Sequence, residues 1–339
     1  MAYSNIKKPS EYFNTKLWTG NGGTQSITGV GFQPDFTWIK SRSAGSWHHM
    51  GDVVRGADKR VQTNSTNAES TVTTGITSWD SDGFSLGSNG DTNASSETFA
   101  SWNWKANGAG SANTDGTITS TVSANTISGF SIATWTGTGS NGSIGHGLGG
   151  VDCMIIKDLS NARDFYFWNK SMAYNTRLEM NNTETFTTGT DNMTALPDAT
   201  KINMAVSTQN NGSGNNYVGY FFQEKQGFSK FGSYTGNGST DGTFVYTGFK
   251  PAFVLVKNTQ QLDNWRLLDN KRNEFNLVDN FLFPSSSIAE NTTSGSFDFL
   301  SNGFKVRSSI GAINNNNDTM IYMAFAEQPL VGDNPATAR

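Results

Sequence analysis

The sequence predicts an all-β protein made of three tandem β-sandwich units, jelly-roll or lectin-like, each of roughly a hundred residues. Three observations carry that reading. One phrase is written three times: "LWTGNGGTQSITGVGFQPDFTWIK" ends at Lys40, "TWTGTGSNGSIGHGLGGVDCMIIK" at Lys157 and "SYTGNGSTDGTFVYTGFKPAFVLVK" at Lys257. Its opening aromatic is Trp18, Trp135 or Tyr234, and the lysine follows 22, 22 and 23 residues later. Composition is the second: only 15% of residues are charged, 12% are aromatic and 37 are glycine, which favours short strands with elaborate loops over either helices or disorder. Third, no window longer than about ten residues carries a helical period.

The elements follow in order. Residues 1–12 form an N-terminal arm, "MAYSNIKKPSEY", the candidate for docking to a larger particle. The first unit spans 13–107. Its "TGNG" supplies the Asn-Gly chemistry of a tight hairpin. "DFTWIK" is a short apolar run that suits a strand buried on both faces, bounded by Lys40. "ETFASWNWK" places Ala100, Trp102 and Trp104 on one face and Ser101 and Asn103 on the other, the alternation of a half-buried strand. Residues 108–115 read as a flexible Gly/Ala/Ser/Asn linker. The second unit, 116–226, gains the alternating strand "TITSTVSAN" and carries Asn203-Met204 where the others have Gly-Phe. The third, 227–328, follows through "QGFSKF" alone, so the two units sit close together. Within it, "INNNND" (313–318) reads as a solvated hairpin loop, and residues 329–339 as an extended tail.

The chemistry is sparse. A net charge of −4 and a pI near 5.4 exclude an electrostatic footprint for nucleic acid or an anionic membrane. Cys153 is the only cysteine, so no intrachain disulfide forms. The N-terminus lacks the apolar run of a signal peptide and no stretch is long enough to span a bilayer, which fits synthesis and folding in a reducing cytoplasm. His48, His49 and His146 have no clustered carboxylates or thiols, so no metal site is assigned to them. Asp80 and Asp82 in "DSDGFSLGSNGD" resemble a calcium loop without its bidentate glutamate, and read as a turn entering a strand. The Asn64 and Asn93 sequons are expected by chance in so Asn/Ser/Thr-rich a chain. No nucleophile elbow or phosphate loop occurs, and "GNGG" and "GHGLGG" precede strands. The reading therefore assigns no catalytic residue, no cofactor and no metal ligand; ligand-binding residues stay unassigned.

As a set, "YTGNGSTDGTFVYTGFKPAFVLVK", "FDFLSNGFKVRSS", "IYMAFAEQP", "VRGADKRVQTNSTNAEST" and "SDGFSLGS" resemble a family of virion structural proteins of tailed phages of marine bacteria, over essentially all 339 residues. The resemblance implies a non-enzymatic protein on the outer surface of a virion, made in the host cytoplasm. It would be a tail fibre or a knob-like capsid appendage contributing to host attachment. It implies other virion proteins as partners and supplies no catalytic residues. A lectin-like module that binds a host surface glycan is the second hypothesis, with Trp38, Trp102 and Trp104 read as core; a polysaccharide depolymerase is the third. Without disulfides, stability is expected from closed symmetry, a homo-oligomer with a trimer favoured. Its proposed contacts lie in "FNLVDNFLFP" (275–284), which equally suits the core of the third unit, with Leu282 as the test position.

Overall fold

The computed structural model describes residues 4–331 and 335–337. Residues 1–3 of the arm and 332–334 and 338–339 of the tail lie outside the described residues. The fold is all-β, in several antiparallel sheets. Among the described residues the only helical pieces are the 3-10 turn Pro9–Glu11 and the four-residue turns Gly90–Asn93 and Gly311–Asn314.

The three main sheets have six, eight and four strands, and four strands are common to all of them. The opening strands are Phe13–Thr19, Phe130–Thr136 and Ser229–Thr235. The lysine strands are Phe36–Ser41, Cys153–Asp158 and Phe249–Asn258, and the return strands are His49–Asp52, Tyr166–Asn169 and Arg266–Asp269. The closing strands are Thr98–Trp104, Asn216–Phe222 and Thr319–Pro329. In all three sheets the order is opening, closing, lysine, return. The register matches as well. Trp104 lies opposite Phe13 and Phe36, Phe222 opposite Phe130 and Cys153, and Phe325 opposite Ser229 and Phe253.

A smaller sheet covers the outer face of each main sheet. In the first third it is Gln25–Thr28, Gly83–Leu86 and Ile76–Asp80, and Ile27, Phe84 and Leu86 pack there against Ile39 and Phe99 of the main sheet. This second layer changes two local expectations. "TGNG" is not a hairpin turn: the strand before it pairs with Thr98–Trp104 and the strand after it with Gly83–Leu86, so the chain crosses between sheets there. Nor is "ETFASWNWK" half-buried. Ser101 and Asn103 are fully buried, and Asn103 bonds to Asn14, Ser101 and Thr37, which satisfies the polar face.

The inner faces of the main sheets meet one another. The corresponding rings of Trp104, Phe222 and Phe325 form a nearly equilateral triangle, with centroid separations of 6.3, 5.6 and 5.8 Å. Phe13, Phe130 and Phe253 pack around it. One continuous apolar core therefore runs from Ile6 to Ala326.

Connecting segments are more ordered than their composition implied. Ser111–Asn113, inside the expected linker 108–115, is an edge strand beside Ser120–Asn125, which in turn pairs with Phe130–Thr136. In the arm, Ile6 and Pro9 are buried, so residues 4–12 are folded onto the body. Asn314 of "INNNND" is also fully buried and is no solvated loop residue. In "FNLVDNFLFP" the structure divides the apolar set: Val278, Phe281, Leu282 and Phe283 are core, whereas Phe275 is 75% and Leu277 48% exposed.

Candidate functional site

The thirds meet at three seams, and a buried Arg–Asp pair sits at two of them. Arg55, three residues after Asp52 at the end of a return strand, pairs with Asp52 and with Glu69 (3.0 Å). The Tyr220 hydroxyl, from the next third, donates to Asp52 (2.8 Å) and accepts from Arg55 (3.0 Å). Burial works against the Arg55 charge, yet Asp52, Tyr220 and Glu69 around it hold its pKa above the ordinary arginine value. The same device recurs between the last third and the first. Arg272 pairs with Asp269 and Glu290, Glu290 also receives Arg42, and Asp269 accepts the Trp102 indole N–H at 3.0 Å. Trp102 and Tyr220 hold equivalent register positions. At the remaining seam Asn169 and Met172 replace the pair, and the Asn169 amide donates to the Tyr322 carbonyl (3.0 Å).

The three lysines that end the repeated phrase are buried inside their strands. Lys40 Nζ donates to the carbonyls of Ser41 and Ala44. Lys157 Nζ donates to Arg163 and, across a seam, to Thr66; Lys257 Nζ donates to Gln261, Asp263 and, across a seam, Thr183. Burial lowers each ammonium to about 8. Sequence reading took them as strand boundaries; their constant spacing was the available signal.

Each seam opens into a cleft. The first, of about 420 Å³, is lined by Val54, Arg55 and Glu69 on one side and by Thr119–Thr121, Thr134–Thr136, Leu159, Ser160, Asn216 and Tyr217 on the other. The second, about 450 Å³, holds Lys170, Glu224 and Lys230, with both lysines ion-paired to Glu224. The third, about 300 Å³, holds Lys16, Lys271 and Glu274. The first is the candidate site: its two charges are paired to each other and the rest of its polar lining is hydroxyl and amide.

The residues weighed in the sequence are structural. His48 Nδ1 accepts the Trp38 indole N–H (2.9 Å), which leaves Nε2 to donate to the Phe283 carbonyl (2.9 Å) of the last third. Burial, helped by nearby Lys40, lowers its pKa to about 3; burial also takes His49 to about 3. His146 Nδ1 accepts the Leu148 N–H within its own loop. Asp82 accepts hydrogen bonds from the backbone N–H groups of Gly29 and Gly31, and Asp80 from the side-chain O–H groups of Ser78 and Ser85, so both serve turns. No group of three or more His, Cys, Asp or Glu able to hold a metal occurs among the described residues. Burial raises the Cys153 thiol well above its usual pKa, so it stays protonated. Asn93 is fully buried, and Asn64 Oδ1 accepts the His48 N–H. Trp38, Trp102 and Trp104 are core. The Arg55 and Arg272 locks were missed; Asp-x-x-Arg at matching positions was their signal.

No curated protein and no solved structure matches the chain. A family model described as a domain of unknown function, DUF7483, matches residues 8–329, a span that takes in all three main sheets, their seams and their clefts. The chain belongs to the DUF7483 family.

Proposed function

We propose that this chain is a non-enzymatic surface protein of a tailed-phage virion, a tail fibre or knob-like capsid appendage that contributes to host attachment. In this reading it is one sandwich module used three times and closed on itself. The observation that carries the reading is the Trp104–Phe222–Phe325 triangle, in which equivalent residues of three like sheets share one core. Such a body is a rigid scaffold with loops free to vary, the arrangement that suits recognition. Charged groups that could do chemistry are engaged elsewhere: Asp52, Arg55 and Glu69 lock one seam and Asp269, Arg272 and Glu290 another. Placement on a virion rests on the resemblance carried by the repeated phrases.

The trimer expected from the sequence takes an intramolecular form in this proposal, with threefold closure made by one chain. Immunogold labelling of virions of the encoding phage tests the placement: gold on tails or on heads supports it and decides between fibre and appendage, whereas particles left bare by an antibody that recognises the folded chain defeat it. The glycan-binding reading is favoured by one specific observation, the hydroxyl-lined cleft at the first seam.

A further inference from the structure

We propose that the cleft between the first and second thirds binds an uncharged polyhydroxyl ligand, a neutral hexose unit of a glycan. The inference deepens the glycan-binding reading and does not depend on where the protein resides. At about 420 Å³ the cleft falls in the size range of small-molecule sites. Its wall is a hydroxyl surface. Thr121 and Thr134 lie opposite each other in the pairing of Ser120–Asn125 with Phe130–Thr136, and the Thr136 hydroxyl donates to the Asn216 side chain at 2.9 Å. Hydroxyls and amides both donate and accept, which matches the mixed character of sugar hydroxyls. Val54 and Leu159 supply apolar surface for the C–H face of a sugar ring.

Charge sets the ligand class. Arg55 and Glu69, the two charged residues of the lining, are bonded to each other, so the cleft offers no uncompensated charge to an acidic or basic group. The corresponding clefts carry an excess of lysine, with Lys170 and Lys230 against Glu224 in one and Lys16 and Lys271 against Glu274 in the other. The cleft also has a wall the others lack. The opening aromatics are offset by 117 residues between the first two thirds and by 99 between the last two. The extra length contains Ser120–Asn125, whose start brings the exposed Thr121 to the lining, preceded by Thr119, while the buried Ser120 hydroxyl donates to the Gly145 carbonyl. A segment added at one seam alone, and spent on hydroxyls facing a cleft, is accounted for by a ligand at that seam.

The test is methyl NMR on the full chain with labelled threonine, titrated with D-glucose, D-galactose, D-mannose and N-acetylglucosamine, and with D-glucuronate as the charged control. Saturable shifts of the Thr119, Thr121, Thr134 and Thr136 methyls are expected with at least one neutral sugar. Thr121→Val with Thr134→Val keeps shape and removes two hydroxyls, and should weaken binding roughly tenfold, read at Thr119 and Thr136. Methyls that stay still with all four neutral sugars overturn the proposal. So does an affinity unchanged in the double variant, or tighter binding of glucuronate in this cleft. Virions that fail to label would leave these outcomes untouched, so the two readings fall separately.

Discussion

The ammonium of Lys257 has three carbonyl oxygens as its hydrogen-bond partners, those of Thr183, Gln261 and Asp263, at 2.8 to 3.1 Å. Like Lys40 and Lys157, it is a buried charge held chiefly by backbone dipoles, and burial lowers all three to about 8 from the ordinary 10.5. Between those values the unfolded chain holds protons that the folded one has released, so stability should rise with pH from about 8 toward 10; below about 8 the folded state bears the full cost of three buried ammonium groups. Urea titrations at stepped pH check this. Wild type should gain stability across the window, and Lys257→Met should gain about a third less, because one of three titrating groups is gone. A flat profile would show that these ammonium groups are not destabilised by burial. The sequence displayed the lysines at constant spacing but not their burial. A lysine after an apolar run ordinarily marks the strand's exit to water, and only the neighbouring third supplies the carbonyls of Thr66 and Thr183.

At the scale of the element, the crossing from main to outer sheet is fastened the same way in each third. The N–H of Gly22 donates to the Asn93 carbonyl, that of Gly139 to Asn211 and that of Gly238 to Asn314. These glycines have φ of 71°, 69° and 66°, in the left-handed region where a side chain is strained. The asparagine amides finish the fastening: Asn314 donates to Asn237, Ser239 and Ser308 while accepting from the Asn237 N–H, and Asn93 makes the matching set with Asn21, Gly23 and Gly87. Asn314→Ala should therefore cost about 2–4 kcal/mol by leaving several buried groups unmet, and Asn316→Ala, at an exposed position of the same run, close to zero. Equal denaturation midpoints for the two variants would refute the clamp. Strands such as "DFTWIK" and "TMIYMAFAEQ" were legible because their period and β-branched content are local properties. The clamp was not. Four consecutive asparagines look alike in one dimension, and "TGNG" carries turn chemistry whether its flanking strands pair with each other or with distant partners.

The whole molecule is held by a core that belongs to no single third. Trp104 touches Phe13 and Phe36 of its own sheet but also Phe222, Phe253 and Phe325. Removing any third would uncover large aromatic surface, so the chain should unfold in one cooperative calorimetric transition and sediment as a 36.7 kDa monomer. Three resolved transitions would mean autonomous domains, and a sedimenting trimer would return closure to separate chains. Of the proposed site, the sequence displayed the inserted strand "TITSTVSAN" but not the seam it lines, since a cleft between distant segments has no local signature. The triangle of rings has a further consequence, for inheritance. Three identical subunits would be encoded by one gene, and every substitution would strike each contact at once. Here each contact has its own codons. Asn169 and Met172 stand where the others have Asp52 with Arg55 and Asp269 with Arg272, so one joint differs from its two counterparts. A lineage carrying this architecture can vary one joint while the other two go on holding the protein together.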